Sequence, residues 1–167
     1  MSPKESVAEC TKAPQALKIV KNYMWFSMGA GLIPVPFVDL AAVSSIQLKM
    51  IAEISKVYDI PFSESRGKAI IGSLTGFILP HALAYGMVGS LIKAIPVVGA
   101  LAGAPAMAVF CGAAAWALGN VFIQHFESGG TFLDFDPEKV REYFRSQFAE
   151  GHKLASKLEA EKAEAPV

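Results

Sequence analysis

Charge of either sign is scarce in this chain. Asp, Glu, Lys and Arg make up 18% of its 167 residues, and 15 basic side chains balance 15 acidic ones. Ordinary soluble domains carry about a quarter charged residues. A neutral chain gives no electrostatic case for binding nucleic acid. Cysteine is almost absent as well, since only Cys10 and Cys111 occur. That argues against a disulfide framework and fits a reducing compartment. Motifs that carry chemistry are also missing. The chain contains no HExxH, no CxxC and no nucleophile elbow, and His81, His125 and His152 do not form a ligand set. No enzyme, metal or cofactor reading follows from these residues. The opening stretch, MSPKESVAECTKAPQ, has no apolar region close behind its charges and is not expected to act as a signal peptide. Any membrane targeting would fall to an internal segment.

What the chain has instead is apolar length. Hydrophobic residues make up 53% of it, and one block from Ala69 to Phe126 holds two uncharged runs. The first runs from Ala69 to Ile92 and the second from Val97 to Ile123, joined by Lys93-Ala94-Ile95-Pro96. Each is longer than the roughly 20 apolar residues that cross a bilayer as a helix. Neither shows the polar stripe of a soluble amphipathic helix. Membrane insertion is therefore expected, with the core of a soluble bundle as the alternative. Small residues recur at spacing four through the block: Gly72 with Gly76, Gly99 with Gly103, and Gly112 continuing that last face. Such spacing lets helix backbones approach closely, so these five glycines are candidate helix-packing positions. Pro80 and Pro105 should bend the two arms. His81 is a polar group inside an apolar run, where a helix–helix hydrogen bond is the plain reading and a ligand or proton role the functional one.

The flanks are more polar. Residues 1–13 are expected to be a disordered tail, and Pro14 suits the first turn of a helix running to Ile33. Lys12, Lys18 and Lys21 ahead of YMWFSMGAGLIPVPFV look like an interfacial anchor, with Tyr23 and Trp25 at headgroup depth. Pro34 and Pro36 form a stiff elbow. A second helix, Phe37 to Tyr58, places Leu40, Val43, Met50, Ile54 and Val57 on one face and Ser45, Lys49, Glu53 and Lys56 on the other. Lys49, Glu53 and Lys56 are a candidate partner face. Asp39 follows the elbow, as a helix cap or a partner contact. After the break at Pro61, Ser63 caps a third helix from Glu64 to Ile92, and Arg66 and Lys68 suggest a cytoplasmic edge. The fourth helix spans Val97 to Phe126 and is expected to lie antiparallel to the third. Glu127-Ser128-Gly129-Gly130 stops it, and Asp136-Pro137 opens a last amphipathic helix to Glu159 with a charged tail. The chain thus divides into a tail over 1–13, a helical domain over 14–135 with its hairpin at 69–126, and a C-terminal helix and tail over 136–167.

Several ordered blocks resemble a bacterial family known as domain of unknown function 697. They are Gly31-Leu32-Ile33-Pro34-Val35-Pro36-Phe37-Val38-Asp39, Gln47-Leu48-Lys49-Met50-Ile51, Tyr58-Asp59-Ile60-Pro61-Phe62-Ser63, Lys68-Ala69-Ile70-Ile71-Gly72-Ser73-Leu74, and the stretch from Gly119 to Thr131. The resemblance covers roughly residues 25 to 135. It implies a helical, membrane-associated protein that occurs beside or fused to small P-loop GTPases. The chain has no GxxxxGK[ST] loop of its own, so a GTPase enters only as a partner implied by the resemblance.

The expectation is an all-α bundle of about five helices around a long apolar hairpin. Its expected role is non-enzymatic: an anchor or interaction module in or on the cytoplasmic membrane, with its termini facing the cytoplasm. Membrane lipid, a second copy of the chain and a P-loop GTPase are the expected partners, and no cofactor is. The alternatives are a soluble, self-assembling all-α protein, a binder of hydrophobic ligands, and an oligomeric pore.

Overall fold

The computed structural model describes residues 3–30, 38–84 and 98–164. They form five helices, and no strand occurs among them: α1 Pro3–Ala30, α2 Val38–Val57, α3 Glu64–Ala84, α4 Val98–Glu127 and α5 Arg141–Glu164. The fold is all-α, as the helical periodicity and the lack of strand alternation led one to expect.

α4 is the axis of the molecule. Ala113, Ala115, Ala117 and Phe122 are each 0% exposed, and Leu118 and Val121 are 1%. A helix apolar on every side has to be enclosed on every side. α1 and α5 enclose most of α4, and α2 covers its C-terminal end. Val20 and Met28 of α1 lie over Gly119 and Gly112 of α4, so the two helices run in opposite directions. α5 returns along another flank, with Gly151 against Trp116 and Ala155 against Gly112. The stretch Pro105–Glu127 is the one helical segment among the described residues long and apolar enough to cross a membrane, and 78% of its most apolar 18 residues are buried inside the bundle.

α2 shows the two faces its sequence pattern requires. Met50 and Ile54 are fully buried, while Ser45, Lys49, Glu53 and Lys56 are exposed. Its C-terminus closes in a Schellman arrangement, with Ile60 N donating to Ser55 O at 2.9 Å and Asp59 in the left-handed region at φ 59°. α4 ends in the same way. Gly130 N donates to His125 O at 3.0 Å, and Gly129 takes φ 81°, a conformation that costs glycine nothing. The link behind it folds back on the core. Phe135 stacks on Phe122 at a centroid distance of 4.9 Å, and Phe132 meets the same ring tilted at 5.6 Å.

Two boundaries and one packing relationship differ from the sequence expectation. α1 starts at Pro3, so residues 3–13 are helical and Pro14 sits inside the helix. Lys4, Glu5, Ala8 and Glu9 are good helix formers, and Pro3 suits a first turn. α5 begins at Arg141, not Pro137. Asp136 Oδ1 accepts from Glu138 N at 3.0 Å, which closes a turn first, and Phe144 N then donates to Val140 O at 2.8 Å. The third concerns the hairpin. Among the described residues α3 touches α4 and α5 at few points, and its main neighbour is α2. The joining turn Lys93–Pro96 lies outside the described residues.

Candidate functional site

The candidate positions fall in three regions. The first is the seam between α3 and α5. His81 is half-buried, its Nδ1 lies 3.3 Å from Phe77 O, and its Nε2 lies 2.9 Å from Arg145 Nη2. A guanidinium can only donate, so Nε2 accepts and Nδ1 carries the proton that goes to the carbonyl. The guanidinium carbons of Arg141 and Arg145 sit 5.2 and 5.3 Å from the centre of the Phe77 ring, within cation–π range. Glu138 and Glu142 flank the two arginines at 3.5 and 3.2 Å. His81 therefore ties the end of α3 to the start of α5. The sequence pattern did not indicate Arg141 and Arg145 as its partners. Their only signal was an i,i+4 pair of arginines at the start of an amphipathic helix.

The second region is the α1–α2 seam. Lys49, Glu53 and Lys56 are exposed, as a partner face requires. Glu53 is also tied inward, accepting from Tyr23 Oη at 2.6 Å. Burial, then the bond and the charge of Glu53, push the Tyr23 hydroxyl up to about 12. Lys12 pairs with Asp59 at 3.0 Å further along the seam. Tyr58 reaches from α2 to Glu127 at the end of α4 at 3.3 Å, and its hydroxyl is likewise pushed up, chiefly by burial. Asp39 lies in the first turn of α2, and its side chain lies outside the described residues.

The third region is the glycines. A Cβ on Gly112 would lie 2.6 Å from Met28 Cγ and 3.4 Å from Ala155 Cβ, so α4 meets both flanking helices there. Gly72 and Gly76 are exposed, and a Cβ on either would meet nothing within 4 Å. The surroundings of Gly99 and Gly103 lie outside the described residues. Three close approaches went unrecognised in the sequence: Gly119 against Val20, Gly151 against Trp116 and Gly67 against Leu48. Gly119 stands seven residues after Gly112, two helical turns on, and that spacing was its available signal.

Two further features complete the polar inventory. His125 Nε2 donates to Thr131 O at 2.9 Å, and Thr131 N and Oγ1 both donate to Asp134 Oδ1, which holds that carboxyl below its usual range. His152 lines a shallow apolar groove with Pro105, Val109 and Ser156, and burial lowers its pKa. No cluster of His, Cys, Asp and Glu able to hold a metal occurs among the described residues.

These features define a class: an all-α bundle packed through glycines around one apolar helix, with its polar side chains used to tie helices together. The chain belongs to the family described as Domain of unknown function (DUF697), which matches residues 5–153. It is similar to a protein named Magnetosome membrane protein 22 from Magnetospirillum gryphiswaldense, 38% identical over 152 residues that cover 91% of this chain and 78% of the relative. No solved structure matches the chain.

Proposed function

We propose that this protein is a non-enzymatic, membrane-associated helical module. The observation that carries the reading is the 38% identity, over 91% of the chain, to a protein named for the magnetosome membrane. The length and apolar character of Pro105–Glu127 support it. Membrane fractionation of cells producing the full chain tests it, followed by alkaline carbonate washing. The protein is expected in the membrane pellet, and recovery entirely in the soluble fraction would refute the reading.

Two finer statements go with it. The termini face the cytoplasm, supported by Arg66 and Lys68 ahead of the first apolar run. A P-loop GTPase docks on the α2 face, supported by the exposure of Lys49, Glu53 and Lys56 and by the family resemblance. Charge at such a face acts mainly on encounter rate and choice of partner. Reversing Lys49 and Lys56 to Glu should weaken partner capture while helicity stays intact. Equal cross-linking by both forms would remove this face from consideration.

A second reading is a soluble, self-assembling bundle, favoured by the 78% burial of the most apolar 18 residues of α4. Its signature is purification without detergent as a discrete folded particle that does not pellet with membranes.

A further inference from the structure

Between Ala108 and Ile123 the most apolar helix is covered by its neighbours, so that stretch offers little of its own surface to lipid while the bundle is intact. A membrane-associated bundle then needs a contact surface elsewhere. The outward face of α1 has the required composition. From Gln15 on, its exposed positions are Gln15, Lys18, Lys21, Asn22, Trp25, Phe26 and Gly29. Trp25 is 51% exposed and Phe26 65%, although both side chains are large and apolar. Burying such groups is favourable at about 25 cal/mol per Å², so exposure on one turn calls for an occupant.

The order of residues along this face argues what the occupant is. Polar and cationic groups come first, and the aromatics follow one to two turns on. At 1.5 Å per residue, Lys21 and Phe26 are separated by roughly 7 Å along the axis. With this face laid on a bilayer, the flexible lysines reach to the phosphates while the rings one to two turns along sink below them. The charge is all of one sign: from Cys10 to Val38 the sequence contains lysines but no Asp or Glu. Lys12 is paired with Asp59, whereas Lys18 and Lys21 have no acidic partner among the described residues. Glu53, across the seam on α2, is bonded to Tyr23.

We propose that the outward face of α1 docks on an anionic phospholipid bilayer, with Lys18 and Lys21 at the lipid phosphates and Trp25 and Phe26 in the acyl boundary. Lysine supplies a compact charge suited to phosphate, and the indole and phenyl rings suit the interfacial layer. This rests on the membrane-associated reading and adds the surface and the lipid class.

The test is co-flotation of the full chain with vesicles of phosphatidylcholine alone, and of phosphatidylcholine mixed equally with phosphatidylglycerol. Tryptophan quenching by brominated acyl chains is read in parallel. Trp116 is 7% exposed and serves as the internal reference. The wild type should float with anionic vesicles and show quenching of Trp25. Lys18→Gln with Lys21→Gln should weaken anionic-vesicle binding roughly thirtyfold, at about a kcal/mol per lysine. Trp25→Ser with Phe26→Ser should abolish the quenching. Both variants change exposed side chains, so helicity and thermal midpoint should stay at wild-type values. Failure of the wild type to float with either vesicle overturns the membrane reading and this proposal together. Flotation shared undiminished by both variants overturns this face alone, and equal flotation on neutral vesicles overturns the anionic assignment. Loss of self-association in the aromatic variant, with vesicle binding unchanged, would assign the face to a second copy of the chain and overturn the proposal.

Discussion

Val20 of α1 lies directly over Gly119 of α4, so close that a single added methyl group would collide with both methyl carbons of the valine. Both residues are buried, and the obstruction is a β-branched side chain with little rotational freedom. Gly119→Ala should therefore destabilise the bundle by about 1–3 kcal/mol, the usual cost of overpacking. Gly76→Ala is the control. Its Cβ meets nothing within 4 Å, and alanine is the better helix former. It should be neutral or stabilising by up to about 1 kcal/mol. Thermal or denaturant unfolding of the two variants compares them directly, and equal effects would refute the close approach of α1 to α4.

Ser27 provides a prediction of opposite sign. Its side chain is fully buried in α1, and its hydroxyl has no hydrogen-bond partner among the described residues. An unpaired buried hydroxyl keeps its desolvation cost without recovering a bond. Ser27→Ala is expected to raise stability by about 1 kcal/mol, read as a higher unfolding midpoint. A lower midpoint would mean that the hydroxyl is satisfied.

The seam between α3 and α5 can be opened locally. Removing His81 takes away the acceptor at 2.9 Å from Arg145. His81→Ala should cost about 1 kcal/mol, and amide exchange near Phe77 should accelerate while the centre of α4 stays protected. Uniform acceleration along both helices would show that the histidine acts globally.

His152 gives a pH dependence whose sign follows from its burial. Desolvation lowers its folded-state pKa below the usual 6.5. Below that value the unfolded chain takes up a proton that the folded chain resists. Stability is then present above pH about 6.5 and declines as the pH falls through the window between the two values. His152→Gln should flatten that part of the stability–pH curve. Persistence of the same slope in the variant would assign it to another group.

The family, the all-α class and the amphipathic character of α2 were legible because each is written in short-range pattern: ordered blocks, helical spacing, and alternation of Met50 and Ile54 with Lys49 and Glu53. The ends of α2 and α4 were legible too, since Gly129 and the break before Pro61 are local signals. What stayed hidden depends on which helix faces which. Long apolar runs carry no mark saying whether lipid or protein will cover them, and one of the two helices that cover α4, α1, is distant in sequence. The small-residue spacing picked Gly112 together with Gly72 and Gly76, but spacing alone cannot tell a glycine that faces Met28 from one that faces open space. The bonds from His81 to Arg145 and from Tyr23 to Glu53 join residues 64 and 30 positions apart, beyond the reach of any local rule.

The enclosure of α4 has a consequence for the order in which the protein is made. Synthesis delivers α4 whole before α5 exists, so the flank around Gly112 and Trp116 is bare while the chain is still growing. During that interval the nascent protein displays a 23-residue apolar helix, indistinguishable by composition from a membrane anchor. Whether the membrane-insertion machinery or the arriving α5 reaches that helix first is a race, and the length of chain from Glu127 to Ala155 sets how long it runs.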